Sequence, residues 1–307
     1  MTSTNQDSGA GFAFAIGAYL LWGLLPFYMK AMAHIPAAEV VAHRVIWAIP
    51  VAGLVLLVTG RFTDLLVALK TPRMLAMAAL TAVLIAVNWG IYVWSIANDN
   101  ALETALGYYI NPLFSIFLGA LILGERLTRL QWTAVALAAL AVIVLTVEAG
   151  QLPLAALGLT FSWGFYAFFK KSLPIGPNQG FMLEVLVLSP LALGFVAYLS
   201  LQGGSHFLTG PTWDTALLLG CGVVTATPLI LFANGAKLLR LSTIGILQYI
   251  APSMIFLIAV FAFGEEFGRG EMIAFPMIWT SLVLYSISLI RQARKRSRVD
   301  AAVSRNQ

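Results

Sequence analysis

Residues 109–125, YINPLFSIFLGALILGE, return as residues 249–265, YIAPSMIFLIAVFAFGE. At a shift of 140 residues Tyr109-Ile110-Asn111-Pro112 falls on Tyr249-Ile250-Ala251-Pro252, Gly124-Glu125 falls on Gly264-Glu265, and Arg129 falls on Arg269. At a shift of 141, Trp22-Gly23 falls on Trp163-Gly164 and Lys30 on Lys171. Matches held at nearly one spacing mark the duplication of a unit that fills almost half the chain.

Outward from this motif, each unit reads as five apolar runs of membrane-spanning length. The first holds 11–30, 37–59, 74–97, 103–123 and 130–147; the second holds 152–171, 180–201, 214–237, 242–263 and 272–290. Turn chemistry separates them at Ile35-Pro36, Thr71-Pro72, Asn98-Asp99-Asn100, Gln151-Leu152-Pro153 and Gly203-Gly204-Ser205. The runs are continuous and too long for the alternating strands of a barrel, so helices must satisfy the backbone in hydrocarbon. Composition agrees. The 307 residues are 60% hydrophobic and 10% charged, where a soluble domain carries about 25% charged residues. The fold expected is an all-α membrane protein of ten transmembrane helices. Two five-helix repeats, 11–150 and 151–290, lie between an N-terminal segment, 1–10, and a basic tail, 291–307. Five is odd, so the second repeat enters the bilayer from the opposite side, the arrangement on which alternating access is built.

The basic residues give an orientation. With the N-terminus on side A, that side collects 15 of them, among them Arg61, Lys70, Arg73, Arg126, Lys170, Lys237 and the tail arginines; side B collects only Lys30 and Arg269, and Arg44 lies inside a span. Side A is therefore read as cytoplasmic, with both termini inside. The net charge of +5 is read as topology signal and not as a nucleic-acid surface. The tail is read as a stop signal at the membrane edge.

Intramembrane polar groups are the site candidates. Arg44 lies about 12 Å into span two at 1.5 Å per residue, and Glu103, at the same face of the bilayer, is its expected partner, with Glu39 nearby in sequence. His43, next to Arg44, has a charge that changes near neutral pH. Glu184 takes the place of His43 at the 141 shift. It is read as one half of an ion pair on the inner side, with Lys170, Lys171 or Lys237, or as a proton carrier. Arg44 itself falls on apolar Val185, so the halves differ in charge. Asn88 and Trp89 in span three, Tyr108, Tyr109 and Asn111 around Pro112, Trp163 and Tyr166 in span six, and Gln248 and Tyr249 before Pro252 complete the set that binds substrate or gates. Pro112 and Pro252 are read as matching helix breaks that free carbonyls.

No metal or cofactor is expected. The single cysteine, Cys221, permits no intrachain disulfide, and His34, His43 and His206 are scattered. There is no Gly-rich phosphate loop for ATP and no His-Glu-x-x-His. Glu265-Glu266 is read as solvated. These features favour a secondary transporter of small organic solutes over a membrane-embedded lipid-modifying enzyme, and they leave a homo-oligomer open.

Residues 43–47 (HRVIW), Asn88-Trp89, residues 102–112 (LETALGYYINP), Gly124-Glu125-Arg126 and residues 238–252 (LLRLSTIGILQYIAP) together resemble the RarD branch of the EamA family, within the drug/metabolite transporter superfamily. The resemblance covers nearly all of residues 11–290. It implies ten helices in a bacterial inner membrane, cytoplasmic termini, and a central cavity between spans one to four and six to nine. It also implies export of amino acids, metabolites or drugs. The matching residues are Arg44, Asn88, Tyr109, Asn111, Gln248 and Tyr249.

Overall fold

The computed structural model describes residues 8–123, 127–172, 174–239 and 241–305, and among these it contains helices and no strands. In chain order they are α1 Gly9–Lys30, α2 Ala37–Val58, α3 Phe62–Leu69, α4 Pro72–Ala97, α5 Ala101–Leu123, α6 Arg129–Ala149, α7 Leu154–Ser172, α8 Pro177–Leu201, α9 Thr212–Leu238, α10 Leu241–Leu247, α11 Ile250–Leu257 and α12 Arg269–Arg305. The starts follow local chemistry. Ser8 accepts a hydrogen bond from the Gly11 N–H, Thr128 and Gln131 cap each other ahead of α6, and α4 and α8 open on Pro72 and Pro177, where a missing N–H costs nothing. Gly150 closes α6 at φ +66, a left-handed conformation that glycine adopts without penalty.

Among the described residues, eight helices are long and apolar enough to cross a membrane. Their outward faces carry large apolar side chains in the open, such as Leu54, Val58, Val147, Leu191 and Leu201. A water-facing protein does not present a continuous surface of that kind, so the chain is a multi-pass membrane protein.

Two expected spans fall outside those eight. Span six is present as α7, a single helix with Lys170 and Lys171 in its last turn. Span nine is not one helix. It breaks at Gln248 and Tyr249 into α10 and α11, and α11 runs on into a π-helical turn, Ile258–Ala262. The break lies four residues before Pro252, where the proline ring would strike the carbonyl of an α-helix. Pro112, in contrast, lies inside the unbroken α5. The expected symmetry of the two breaks is thus corrected. Prolines also sit inside α1, α2, α8, α9 and α12. The short helix α3, in the link between spans two and three, was not expected. It buries Leu65 and Ala68, and its Asp64 accepts a hydrogen bond from Gln179 Nε2 at 3.1 Å. The basic tail is a helical continuation of α12 to Arg305. Gly124, Glu125 and Arg126 lie outside the described residues, as do the side chains of Lys171 and Lys237.

The principal packings are α6 on α12, α1 on α9 and α11, α5 on α7 and α11, α2 on α8 and α9, and α4 on α7 and α8. Glycines let some of these helices close on one another. A Cβ at Gly222 of α9 would meet the Trp47 carbonyl of α2 at 2.0 Å, and one at Gly107 of α5 would meet the Ala156 carbonyl of α7 at 2.8 Å.

Candidate functional site

The approach of Gly222 to Trp47 fixes what surrounds Arg44. Thr225 lies one turn beyond Gly222, and Arg44 one turn before Trp47, so the two meet across the interface. Arg44 Nε donates to Thr225 Oγ1 at 3.1 Å, and its guanidinium carbon lies 4.7 Å from the centre of the Trp89 ring of α4. The residue is 4% exposed and its Nη1 makes no hydrogen bond. Tyr92, one turn along α4 from Trp89, and Tyr108 of α5 are close enough to interact electrostatically with the guanidinium, and the buried Tyr92 hydroxyl is also without a partner.

The expected Arg44–Glu103 pair does not form. No described carboxylate lies within ion-pair distance of Arg44; the described pairs are Lys30–Asp99, His34–Asp214, Lys170–Glu184 and His206–Glu39. Arg44 faces α9 and α4, whereas α5 is not a principal neighbour of α2. Glu103 instead sits half-buried in the first turn of α5, beside the backbone of Ala155. Glu39 is fully buried and holds the segment between α8 and α9. It accepts from Ser205 Oγ, the His206 N–H and the His206 ring at 3.1, 2.7 and 2.8 Å. His43 turns away from Arg44, as adjacent helix positions must. Its Nδ1 accepts from Trp47 Nε1 at 3.0 Å, its ring lies 4.8 Å from that of Phe207, and its Nε2 is unpartnered.

A chain of aromatic rings leads away from Arg44. Tyr92 and Tyr108 have centroids 6.0 Å apart, Tyr108 and Trp163 6.5 Å, Trp163 and Trp22 6.4 Å, and Trp163 and Tyr166 5.6 Å. Asn88 ties this chain across helices. Its Nδ2 donates to Ser162 Oγ and the Leu159 carbonyl at 3.0 and 3.2 Å, and its Oδ1 accepts from the Tyr108 hydroxyl at 3.3 Å. An amide in hydrocarbon requires such partners. At the far end, Lys170 Nζ lies 2.6 Å from Glu184 Oε1, and the Tyr166 hydroxyl donates to Glu184 Oε2 at 3.3 Å. Glu184 is thus half of a buried ion pair with Lys170; the side chains of Lys171 and Lys237 lie outside the described residues.

The second proline motif is not part of this chain. Tyr109, 100° round the helix from Tyr108, points to α11 and α12. Its hydroxyl is 2.8 Å from Ser253 Oγ and its ring 6.2 Å from Phe275. Tyr249 packs into the same apolar cluster as Phe275, with its hydroxyl unpartnered. Gln248 is half-buried at the break between α10 and α11. Asn111 is buried on the Tyr108 face of α5, and its Oδ1 makes no hydrogen bond. Thr225, Tyr92 and Ser162 were missed from the sequence. A hydroxyl on an apolar helix carries no mark of which neighbour it reaches.

A separate cleft of about 410 Å³ opens near Glu103, lined also by Asp99, Gln151, Glu265, Glu266 and Glu271. Glu265 is not simply solvated. Its carboxylate accepts from the Ala101 and Leu102 N–H groups at 2.7 and 2.8 Å and so caps α5 from outside that helix. Among the described residues, no three His, Cys, Asp or Glu side chains group as a metal site.

Residues 9–147 match the model of the EamA-like transporter family. An "Uncharacterized transporter" from Vibrio cholerae serotype O1 is 40% identical over 97% of this chain and 99% of its own length. Protein RarD of Escherichia coli strain K12 is 38% identical over 95% of this chain and 99% of its own. A crystal structure 19% identical in sequence superposes with a TM-score of 0.57 over 92% of this chain and 98% of that one, and so shares the fold. Identity at this level over nearly the whole length places the chain in the EamA-like transporter family, in its RarD branch.

Proposed function

We propose that the protein is a secondary transporter that exports small organic solutes by alternating access. It would use ten spans, α7 and the broken α10–α11 included, arranged as two inverted five-helix repeats. The observation that carries this reading is the pattern of helix packing. Exchange α1, α2, α4, α5 and α6 for α7, α8, α9, α11 and α12. The pairing α1–α9 then becomes α7–α4, α5–α7 becomes α11–α1, and α2–α9 becomes α8–α4, while α6–α12, α2–α8 and α5–α11 map onto themselves. All of these contacts recur under the exchange, which supports two like-folded halves around one axis. A carrier of this kind changes access when the halves swap conformations.

In this reading Arg44, Asn88, Trp89, Tyr108, Trp163 and Tyr166 face the transported solute. His43, Glu103, Glu184, Tyr109, Asn111, Gln248 and Tyr249 support the moving helices. The 15-to-2 division of basic residues supports cytoplasmic termini, with Arg44 toward the outer face and the Lys170–Glu184 pair toward the inner one. The relatives' names as transporters support transport over lipid chemistry.

Two measurements test the proposal. Reporter fusions at Lys70 and Lys237 should fall on the same face of the membrane; opposite faces would end the inverted arrangement. Purified protein in liposomes should move a small organic solute, and an imposed pH gradient should drive its accumulation if a proton is coupled. Failure of the protein to move any member of a broad metabolite mixture would remove the transport reading.

A further inference from the structure

The guanidinium of Arg44 is the least compensated charge in the described interior. Arginine stays ionised in proteins, and a buried ion is tolerated where a counter-charge or enough hydrogen bonds replace water. Arg44 has one hydrogen bond, from Nε to Thr225, and one aromatic face, that of Trp89; Nη1 has nothing. Among the described residues the buried carboxylates are engaged elsewhere, Glu39 by Ser205 and His206, Glu184 by Lys170 and Tyr166, and Asp214 by His34. Cys221, Tyr92 and Tyr108, the other titratable neighbours of the guanidinium, are neutral groups in their ordinary protonated forms. The buried Tyr92 hydroxyl is likewise unpartnered. Two strong donors without acceptors therefore stand together at the head of the aromatic chain Tyr108–Trp163–Trp22.

We propose that the transported solute is an organic monoanion whose carboxylate takes the free edge of Arg44 and the Tyr92 hydroxyl, with a planar apolar body laid along Tyr108 and Trp163. This rests on the transport reading of the site. The geometry selects against two nearby classes. A neutral analogue leaves the guanidinium uncompensated, and discrimination against a missing charge partner is strong where the site's own group is buried. A zwitterion or an amine brings an ammonium, and among the described residues no unengaged carboxylate lies beside Arg44 to receive it. Rings at right angles or tilted, as between Tyr108 and Trp163, leave edges and faces against which a planar ligand packs.

The test is binding, read apart from transport. Full-length protein in detergent is titrated with benzoate, benzamide, benzylamine and phenylalanine, following the thermal shift and the quenching of tryptophan fluorescence. Benzoate is expected to bind and stabilise by mass action, and the other three are not. Arg44→Gln should weaken benzoate binding roughly ten- to a hundredfold, the usual loss for a hydrogen bond to a charged group. Arg44→Lys should keep the preference for the anion at reduced affinity, and it stands in should the glutamine variant fail to fold. No response to benzoate, an equal response to benzamide or phenylalanine, or undiminished binding in Arg44→Gln each overturns the proposal. Benzoate that binds as expected, in a protein that moves no member of the metabolite mixture across liposomes, overturns the transport reading and leaves the anion site standing.

Discussion

Trp22 of α1 and Trp163 of α7 lie ring against ring, their centroids 6.4 Å apart and their planes at 82°. The two residues also match in sequence at the 141-residue shift, and in the proposed pair of repeats they would be counterparts. A residue touches its own repeat mate only near the axis that relates the two copies. If the halves move about that axis, the Trp22–Trp163 contact is a pivot or a closing surface. With Cys221→Ala as background, the double variant Trp22→Cys/Trp163→Cys should react within one chain with a short, reducible thiol crosslinker. Flux should fall when the link forms and return on reduction. A crosslinked protein that transports at the uncrosslinked rate would show that the two helices do not part during the cycle.

Arg44 separates function from stability. Its burial next to Thr225 and Trp89, with no carboxylate partner among the described residues, makes it a costly residue for the fold, since an uncompensated buried ion opposes folding. Arg44→Ala should therefore leave the melting temperature unchanged or raise it, while lowering solute flux by roughly tenfold or more, the worth of a charged hydrogen bond. A variant that loses stability and flux together would instead make Arg44 a clamp between α2, α4 and α9.

Much of this was legible in the sequence, and the boundary is instructive. The apolar runs located the long helices, and Pro36 and Pro72 marked where helices begin. The sequence matches behind the proposed repeat were legible because the same residues recur at shifts of 140 and 141. What escaped depends on rotation about a helix axis and on the partner helix, neither of which a linear pattern records. Tyr108 and Tyr109 look equivalent in the chain, yet one joins Asn88 and the other Ser253. Pro112 and Pro252 share a motif, yet one sits in an unbroken helix and the other follows a break. The pairing of Arg44 with Glu103 failed because depth in the membrane was known and direction was not.

Gly222 holds the Arg44 site together from the side of α9. A Cβ there would overlap the Trp47 carbonyl at 2.0 Å and the carbonyl carbon at 2.3 Å, and a backbone cannot yield as a flexible side chain can. Gly222→Ala must push α9 from α2. The expected result is a lower melting temperature, by overpacking of about 1–3 kcal/mol or more, together with loss of flux as Thr225 moves off Arg44. Gly194, whose Cβ would meet nothing within 4 Å, is the control: Gly194→Ala should keep both properties. Equal behaviour of the two variants would mean that the close crossing of α2 and α9 is not required.

The Lys170–Glu184 pair is the mirror case, a charge that has its partner. Glu184 is 1% exposed and bonded to both Lys170 and Tyr166. Glu184→Gln leaves an ammonium largely withdrawn from water, a loss of about 3 kcal/mol for a broken buried pair. The double variant Glu184→Gln/Lys170→Met removes both charges and should recover most of that loss, because the desolvation of each ion disappears with it. Thermal melts of the wild type, the two single variants and the double variant form a cycle that isolates the pair. Flux under a pH gradient then divides the two roles of Glu184. A structural pair predicts that the double variant still accumulates solute when the gradient is imposed. A proton carrier predicts that accumulation ceases while exchange without a gradient continues.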